Sequence, residues 1–321
     1  MSCSRKECTP TRRKVRNFQN VNSNWKLKNT IEVFDMKTMD NPPQTTLISL
    51  TIDGSCARIE LTREDKFNAL NVELITELIK VFDWTRERSA GHNDALEDAN
   101  GDPYLRTLVL SGRGKHFCAG ADINMMRDAG ANTPEENRKD SERLDRLFNG
   151  LWSHPCFTIG AIQGVALGGG AGLIACLDYV VATENVRIAL SEGKLGILPA
   201  VIGPYVYRRV GSANFRRLAM QASRVKAEEA LRIGFIERVV ENVEAFDNEI
   251  DSIIEEVLTT GPSAATLAKE LTLGFDRWSE DDQSLRQWTL DFTSRMRGSR
   301  EGQEGLSSFL EKRPANWKPE E

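Results

Sequence analysis

The apolar and polar positions along the chain predict strands alternating with helices, followed by helices alone. Two alternating runs, 47–53 and 57–61, flank Asp53-Gly54, a composition typical of a β-hairpin turn. Asn71 precedes a run with apolar positions at helical spacing, which predicts an N-capped helix over 72–88. The remaining predicted strands are 107–111, 157–162, 179–182 and 187–190, and the remaining predicted helices are 137–152, 212–222, 226–233, 243–259, 263–274, 281–297 and about 303–312.

This order of elements is typical of an α/β core followed by a helical module. We predict three segments: residues 1–45 as a basic, disordered leader or tail, 46–259 as the α/β core, and 260–321 as a C-terminal helical module. Gly261-Pro262 breaks the chain at the last boundary, where proline suits the first turn of a helix. The polar stretch 89–104 is predicted to be an inserted loop.

Composition excludes several classes of protein. The 321-residue chain carries a formal net charge of -5, which gives no reason to expect nucleic acid as a partner. None of its apolar runs approaches the roughly 18–20 residues that span a bilayer. Six cysteines without C-x-x-C spacing and three histidines argue against a zinc site or another metal centre. Cys118, Cys156 and Cys176 lie in or beside apolar runs, which predicts reduced core thiols of an intracellular protein.

The N-terminal segment is strongly basic. Before residue 31, eight lysines and arginines face the single acid Glu7, and no apolar h-region of a secretory signal is present. An arginine-rich, acid-poor leader resembles a mitochondrial transit peptide, and a disordered basic tail is the alternative. The expected location is therefore the mitochondrial matrix or the cytoplasm.

Two glycine-rich loops are the strongest candidates for a functional site. Gly168-Gly169-Gly170 follows the predicted strand 157–162, and the loop from Gly112 to Asp122 follows the strand 107–111. Glycines let backbone N–H groups approach a ligand closely, so two such loops predict two converging donors for a developing oxyanion. Residues 170–175 also fit the dinucleotide pattern G-x-G-x-x-[GA], although residues 163–167 separate these glycines from the strand end. A cluster of packing glycines is the third possibility.

Glu192 is the main candidate for proton transfer. It lies in the apolar, glycine-punctuated stretch 190–199, where burial would raise its pKa toward neutrality, as general acid/base catalysis requires. The alternative is a solvated glutamate at a strand end. Asp122 and Asp178 are predicted to cap helices or turns rather than to catalyse.

Neither the histidines nor a serine motif predicts a nucleophilic catalytic site. His116 lies in the first glycine loop and His154 precedes a proline at a strand start, and both are predicted to be structural. The sequence contains no G-x-S-x-G elbow for a serine nucleophile.

In their order and spacing, six motifs resemble the crotonase (enoyl-CoA hydratase/isomerase) family from about residue 47 to residue 317, apart from the loop 89–104. The motifs are 66–71 (KFNALN), 116–124 (HFCAGADIN), 162–170 (IQGVALGGG), 191–199 (SEGKLGILP), 230–236 (ALRIGFI) and 309–317 (FLEKRPANW). Together they outweigh the dinucleotide interpretation.

The resemblance implies a ClpP-like spiral of ββα turns over 46–259, with a C-terminal helical module that mediates trimers, often paired into hexamers. It also implies an acyl-CoA thioester substrate whose carbonyl oxygen is held by the backbone N–H groups of Ala121 and Gly169. No cofactor is implied, because coenzyme A is part of the substrate.

The resemblance further implies contacts to the substrate. Asp122, Ile123 and Asn124 would line the coenzyme A channel beside the glycine loop that contains Gly168. Lys312 matches a family lysine that approaches the coenzyme A phosphates, with a neighbouring subunit as one possible location for them.

One position departs from the family pattern. Typical hydratases hold water between two glutamates, of which the second matches Glu192 and the first falls on Gly172. In simple two-carboxylate hydratases, the loss of one acid/base partner costs on the order of 10²–10⁴ in rate. The stretches 191–206 and 301–314 are most similar to the methylglutaconyl-CoA hydratase branch of leucine degradation, whose substrate carries its own carboxylate.

We therefore expect an acyl-CoA lyase that adds water to a branched enoyl-CoA through Glu192, with Gly172 leaving room for the branch. Two alternatives remain open. A Δ3,Δ2-enoyl-CoA isomerase needs only one base, and a non-catalytic acyl-CoA-binding scaffold needs none.

Overall fold

An antiparallel hairpin begins the main sheet. In the computed structural model, which describes residues 41–318, β1 (Ile48–Asp53) pairs with β2 (Cys56–Leu61). Gly54 adopts φ +51 in the turn, a left-handed conformation that glycine reaches without steric cost. The hairpin predicted around Asp53-Gly54 is confirmed.

The strands form two sheets. The larger has the order β1-β2-β3-β4-β6-β9, in which every pair except β1 with β2 is parallel, and the smaller has the order β5-β7-β8. The strands after the hairpin are β3 (Thr107–Gly112), β4 (Phe157–Ile162), β5 (Val165–Leu167), β6 (Tyr179–Thr183), β7 (Arg187–Ala189), β8 (Val225–Lys226) and β9 (Arg238–Val240). Parallel strands with intervening helices confirm the predicted α/β class.

Helices connect the strands and then continue alone. They are α1 (Val72–Glu87), α2 (Ala90–Asn93), α3 (Ile123–Asp128), α4 (Pro134–Trp152), α5 (Gly169–Ala175), α6 (Gly203–Gln221), α7 (Ala227–Arg232), α8 (Phe246–Leu258), α9 (Pro262–Arg277), α10 (Asp282–Gly298) and α11 (Arg300–Glu311). Asn71 caps α1 as predicted, because its side chain accepts a hydrogen bond from the Leu74 N–H at 2.9 Å.

Alternate residues of the central strands face opposite sides of the large sheet. Leu108 and Leu110 point into the main apolar cluster with α1, α4 and α5, whereas Val109 packs with Phe246 and Ile250 of α8 on the other side. This period of two follows from the pleat, and it covers both faces of the central strands with apolar side chains.

The structure bears on only part of the predicted division into three segments. The described residues 42–318 belong to one compact unit, and the predicted basic leader lies almost entirely outside the described residues. The boundary at residue 259 stays a prediction, although three helices follow it as expected. No helix within residues 41–318 is long and apolar enough to cross a membrane.

Candidate active site

The two glycine-rich loops predicted from the sequence lie side by side. The loop after β3 is held against β5, because the Leu167 N–H donates to the Cys118 carbonyl at 3.0 Å and the Cys118 N–H donates to the Val165 carbonyl at 3.1 Å. On its other side, the Leu70 N–H donates to the Gly120 carbonyl at 2.7 Å. The loop is therefore fixed by backbone hydrogen bonds on both flanks, as a preorganised donor requires.

The backbone N–H groups of Ala121 and Gly169 lie next to each other at this junction. A Cβ atom built on Gly169 would lie 3.9 Å from the Ala121 nitrogen, and one built on Gly120 would lie 3.6 Å from the Gly169 nitrogen. Gly169 is the first residue of α5, where amides have no acceptor within the helix. Within residues 41–318, neither N–H has a hydrogen-bond acceptor, so both are available to a ligand oxygen.

Glu192 lies over the start of the same helix. It belongs to a 3-10 turn, Ser191–Leu195, that follows β7, and its Oε1 lies 3.1 Å from the position of a Cβ built on Gly168. Its Oε2 is buried and has no hydrogen-bond partner in the described part of the chain. Burial raises the pKa of the Glu192 carboxyl above its ordinary value, against a hydrogen bond with its own backbone that lowers it. The solvated-glutamate alternative is therefore wrong.

Comparison with known proteins agrees with this geometry. The sequence model described as enoyl-CoA hydratase/isomerase matches residues 51–320. The chain belongs to the enoyl-CoA hydratase/isomerase family. The crystal structure of an enoyl-CoA hydratase from Shewanella pealeana is 34% identical, with a TM-score of 0.77, over 88% of this chain and 98% of that one. The structure of Pseudomonas aeruginosa AtuE is 30% identical, with a TM-score of 0.76, over 85% of this chain and 100% of AtuE. A crotonyl-CoA hydratase of Syntrophomonas wolfei is 30% identical over 84% of this chain and 97% of its own length.

The fold is thus the crotonase fold, and the chain is an enzyme of the enoyl-CoA hydratase/isomerase superfamily. The dinucleotide alternative is wrong, because β5, the loop and α5 belong to a crotonase turn rather than to a first βαβ unit.

The space beside Gly172 is already filled. A Cβ built on Gly172 would lie 2.9 Å from the Ile202 Cβ, closer still to its Cγ2, and 3.0 Å from the Phe148 Cε1. Both side chains are buried, with 4% and 1% of their surfaces exposed. The expectation that Gly172 leaves room for a branched acyl group is therefore wrong at this position, because apolar side chains occupy the room that a glutamate would have taken.

Asp122, Ile123 and Asn124 lie at the start of α3, directly after Ala121. The Asp122 carboxylate caps the helix by accepting from the Asn124 N–H at 2.9 Å, and it forms an ion pair with Arg63 at 2.7 Å. This guanidinium lowers the pKa of Asp122. The predicted capping role is confirmed, whereas Ile123 and Asn124 are exposed beside the site.

Lys312 lies far along the chain from these loops, at the end of α11. It is exposed and adopts φ +58 as the C-cap of that helix. The segment after it is held at the opposite end of β3, since Arg106 donates to the Trp317 carbonyl at 2.9 Å. Arg106 precedes β3, whereas the Ala121 loop follows it, so the segment after Lys312 is held at the end of β3 away from that loop.

The remaining candidate acids and bases are structural. Asp178 accepts from the Thr158 N–H at 2.8 Å and forms an ion pair with Lys269 at 2.5 Å. The fully buried His154 contacts the Thr85 hydroxyl through Nε2 at 3.0 Å, and desolvation lowers its pKa well below the ordinary value. His116 accepts from the Val165 N–H at 3.2 Å. No group of three metal-ligating side chains occurs among residues 41–318.

Sequence reasoning assigned no role to several residues that build the site. Asn68 is fully buried at φ +55, and its side chain donates to the Arg113 and His116 carbonyls at 3.0 and 2.9 Å. It therefore shapes the loop that presents Ala121. Asparagine tolerates the left-handed region better than most residues, a signal that the motif at 66–71 contained. Ile202 and Phe148 are apolar, so the sequence could predict only that they belong to the core and not that they lie beside Gly172.

Proposed function

We propose that the protein catalyses the reversible addition of water to the α,β double bond of an enoyl-CoA. The thioester carbonyl oxygen would accept hydrogen bonds from the Ala121 and Gly169 N–H groups. The observation that carries the proposal is the buried, unpartnered Oε2 of Glu192, whose carboxylate lies against Gly168, the residue before one of these donors.

The reaction needs two proton transfers. In the first, the Glu192 carboxylate accepts a proton from water while the water oxygen bonds to the β carbon and charge develops on the thioester oxygen. In the second, the Glu192 carboxyl donates that proton to the α carbon and the carbonyl re-forms. Donors fixed by their loops stabilise the anionic intermediate without reorganisation, and each contributes on the order of 10²–10³ in rate.

We further propose an acyl group that is branched and carries its own carboxylate, as in methylglutaconyl-CoA. Support comes from the motif resemblance and from the wall at Gly172. Ile202 and Phe148 place no charge where a second glutamate would stand, so an anionic acyl group meets no like charge there. Room for the branch must come from other parts of the site.

An isomerase is the second candidate. The lone carboxylate and the apolar side chains at Gly172 favour it, because moving a double bond from the β,γ to the α,β position needs one base and no bound water. A non-catalytic scaffold would need the same donors and would not depend on Glu192.

Three further proposals concern binding, assembly and location. Asp122, Ile123 and Asn124 would contact coenzyme A, and Lys312 would reach the phosphates of a substrate bound to a neighbouring subunit. Exposed apolar side chains of α11 support assembly into trimers or hexamers, and they are Leu306, Phe309 and Leu310. The mitochondrial matrix or the cytoplasm is the proposed location.

One assay series separates the candidates. The purified protein is mixed with crotonyl-CoA, methylglutaconyl-CoA and a β,γ-enoyl-CoA, and hydration and double-bond migration are both followed. We expect hydration, with a preference for methylglutaconyl-CoA. Glu192→Gln should abolish turnover and leave thioester binding within about threefold, measured by calorimetry. A variant that keeps wild-type turnover would refute the mechanism, and a wild type that binds without turnover would favour the scaffold.

A further inference from the structure

Glu192 and Ile202 contact successive turns of one helix face. The Gly172 N–H donates to the Gly168 carbonyl at 3.0 Å, so these two glycines lie one turn apart along α5. Glu192 lies against Gly168, and Ile202 lies against Gly172. Ile202 therefore lies one helical turn along α5 from the Glu192 carboxylate, against the position that carries the second carboxylate in a two-glutamate hydratase.

This apolar wall is tightly built. Ile202 lies at the start of α6 and is 4% exposed, and Phe148 of α4 closes the other side of Gly172. A larger side chain at position 172 collides with Ile202 first, so positions 172 and 202 form a coupled pair. The loss of the second carboxylate is thus fixed by two positions rather than one.

We infer that Ile202 is a specificity-determining residue, which keeps this wall uncharged and so admits an acyl group that carries its own carboxylate. The inference rests on the proposed function. A carboxylate on the wall would repel such a substrate, because a like charge a few ångströms away in a partly buried site is weakly screened. A neutral acyl group would not be repelled by that charge.

The test compares variants that match in shape and differ in charge. Ile202→Glu and Ile202→Gln are assayed with methylglutaconyl-CoA and crotonyl-CoA at pH 8, where the introduced carboxyl is ionised. We expect kcat/KM for methylglutaconyl-CoA to be at least tenfold lower in the Glu variant than in the Gln variant, and kcat/KM for crotonyl-CoA to be no lower in the Glu variant. Equal preferences in two folded variants would overturn the inference.

A second pair guards against misfolding of the first. Gly172→Glu/Ile202→Ala and Gly172→Gln/Ile202→Ala remove the colliding side chain before the new one is introduced, and the same difference is expected between them. Ile202→Val keeps the wall apolar and uncharged, so the ratio of its two kcat/KM values should stay within twofold of the wild type. A ratio that changed severalfold in this uncharged variant would mean that packing rather than charge sets the preference, and it would overturn the inference.

Ile174→Val is the matched control. Ile174 is also buried in α5, but the atoms nearest a Cβ built on Gly172 belong to Ile202 and Phe148, so the ratio of the Ile174 variant should stay within twofold of the wild type. Wild-type protein that hydrates neither thioester would overturn the proposed function together with the inference. Hydration with a preference that ignores the charge at position 202 would overturn the inference alone.

Discussion

The Glu192 carboxylate lies against the backbone of Gly168, with its Oε1 3.1 Å from the place that a Cβ on Gly168 would occupy. The same glycine adopts φ +48 and ψ -113, a conformation that side-chain-bearing residues rarely reach. Two independent constraints therefore require glycine here, the backbone conformation and the approach of the Glu192 carboxylate.

Gly168→Ala should reduce both stability and activity. The strained backbone costs about 1–3 kcal/mol, and the methyl group displaces the carboxylate from the reacting carbons. We expect kcat to fall at least tenfold, since small misplacements of catalytic groups have large effects on rate. Thermal unfolding and steady-state hydration kinetics measure the two effects.

The control for this variant is Gly150→Ala. Gly150 lies in α4 with helical φ and open space around it, so alanine should raise stability by roughly 0.5–1 kcal/mol and leave kcat unchanged. If Gly168→Ala behaved like the control, Glu192 would not lie where the structure has it.

The raised pKa of Glu192 predicts the pH dependence of hydration. Because the carboxylate must be ionised to accept a proton from water, kcat/KM should fall with decreasing pH. The midpoint should lie above about 4.3, the ordinary value for glutamate. The pH profile of kcat/KM measures it, and a midpoint at or below the ordinary value would contradict the assigned environment.

The same shift predicts a pH-dependent stability difference between the wild type and Glu192→Gln. A raised pKa means that the folded protein binds the proton more tightly than the unfolded chain, so the wild type loses stability relative to the variant as the pH rises above about 4.3. Denaturant unfolding at pH 4 and pH 8 should show that the free energy of unfolding of Glu192→Gln rises relative to that of the wild type at the higher pH. A constant difference would mean that the pKa is unshifted.

Local sequence signals predicted much of the fold and only part of the site. The hairpin at Gly54 and the cap at Asn71 depend on neighbouring residues, so their patterns sufficed. The helix predicted over 212–222 is confirmed as the second half of α6, because the chain breaks its helical geometry at Gly211, where φ is +75, whereas the first half from Gly203 was not predicted. The strands β5, β8 and β9 are only two or three residues long, and they exist because distant backbone pairs with them.

The filling of the space beside Gly172 was beyond such signals. The sequence shows directly that position 172 is a glycine and therefore supplies no second carboxylate. Which side chain would occupy the vacated volume depends on how α4 and α6 pack on α5, a property of tertiary structure. A small residue therefore predicted room where Ile202 and Phe148 leave none.

Asn68 should be needed to hold the Ala121 loop. Asn68→Ala leaves the Arg113 and His116 carbonyls without their donor, and each loss costs about 1–3 kcal/mol in a buried setting. Asn68→Gly loses the same hydrogen bonds but tolerates φ +55, so it should recover about 1 kcal/mol relative to alanine. Urea unfolding of both variants separates the two contributions. Alanine and glycine variants of equal stability would mean that the left-handed backbone costs nothing.

The ion pair between Asp122 and Arg63 should stabilise the fold far more than an exposed pair on the same helix. Their side chains are only 11% and 15% exposed, so Asp122→Ala leaves a largely buried guanidinium unpaired and should cost about 2–4 kcal/mol. Arg127→Ala breaks the exposed pair with Asp128 and should cost less than about 1 kcal/mol.

The lowered pKa of Asp122 gives this prediction a pH signature. A depressed pKa stabilises the folded protein above the unfolded value of about 3.9, and that contribution is lost as the pH falls through the folded value. The stability difference between the wild type and Asp122→Asn, measured by denaturant unfolding, should therefore be constant from pH 6 to 8 and shrink below about pH 4. A difference that persisted undiminished at pH 2.5 would show that the aspartate acts through packing rather than through its charge on Arg63.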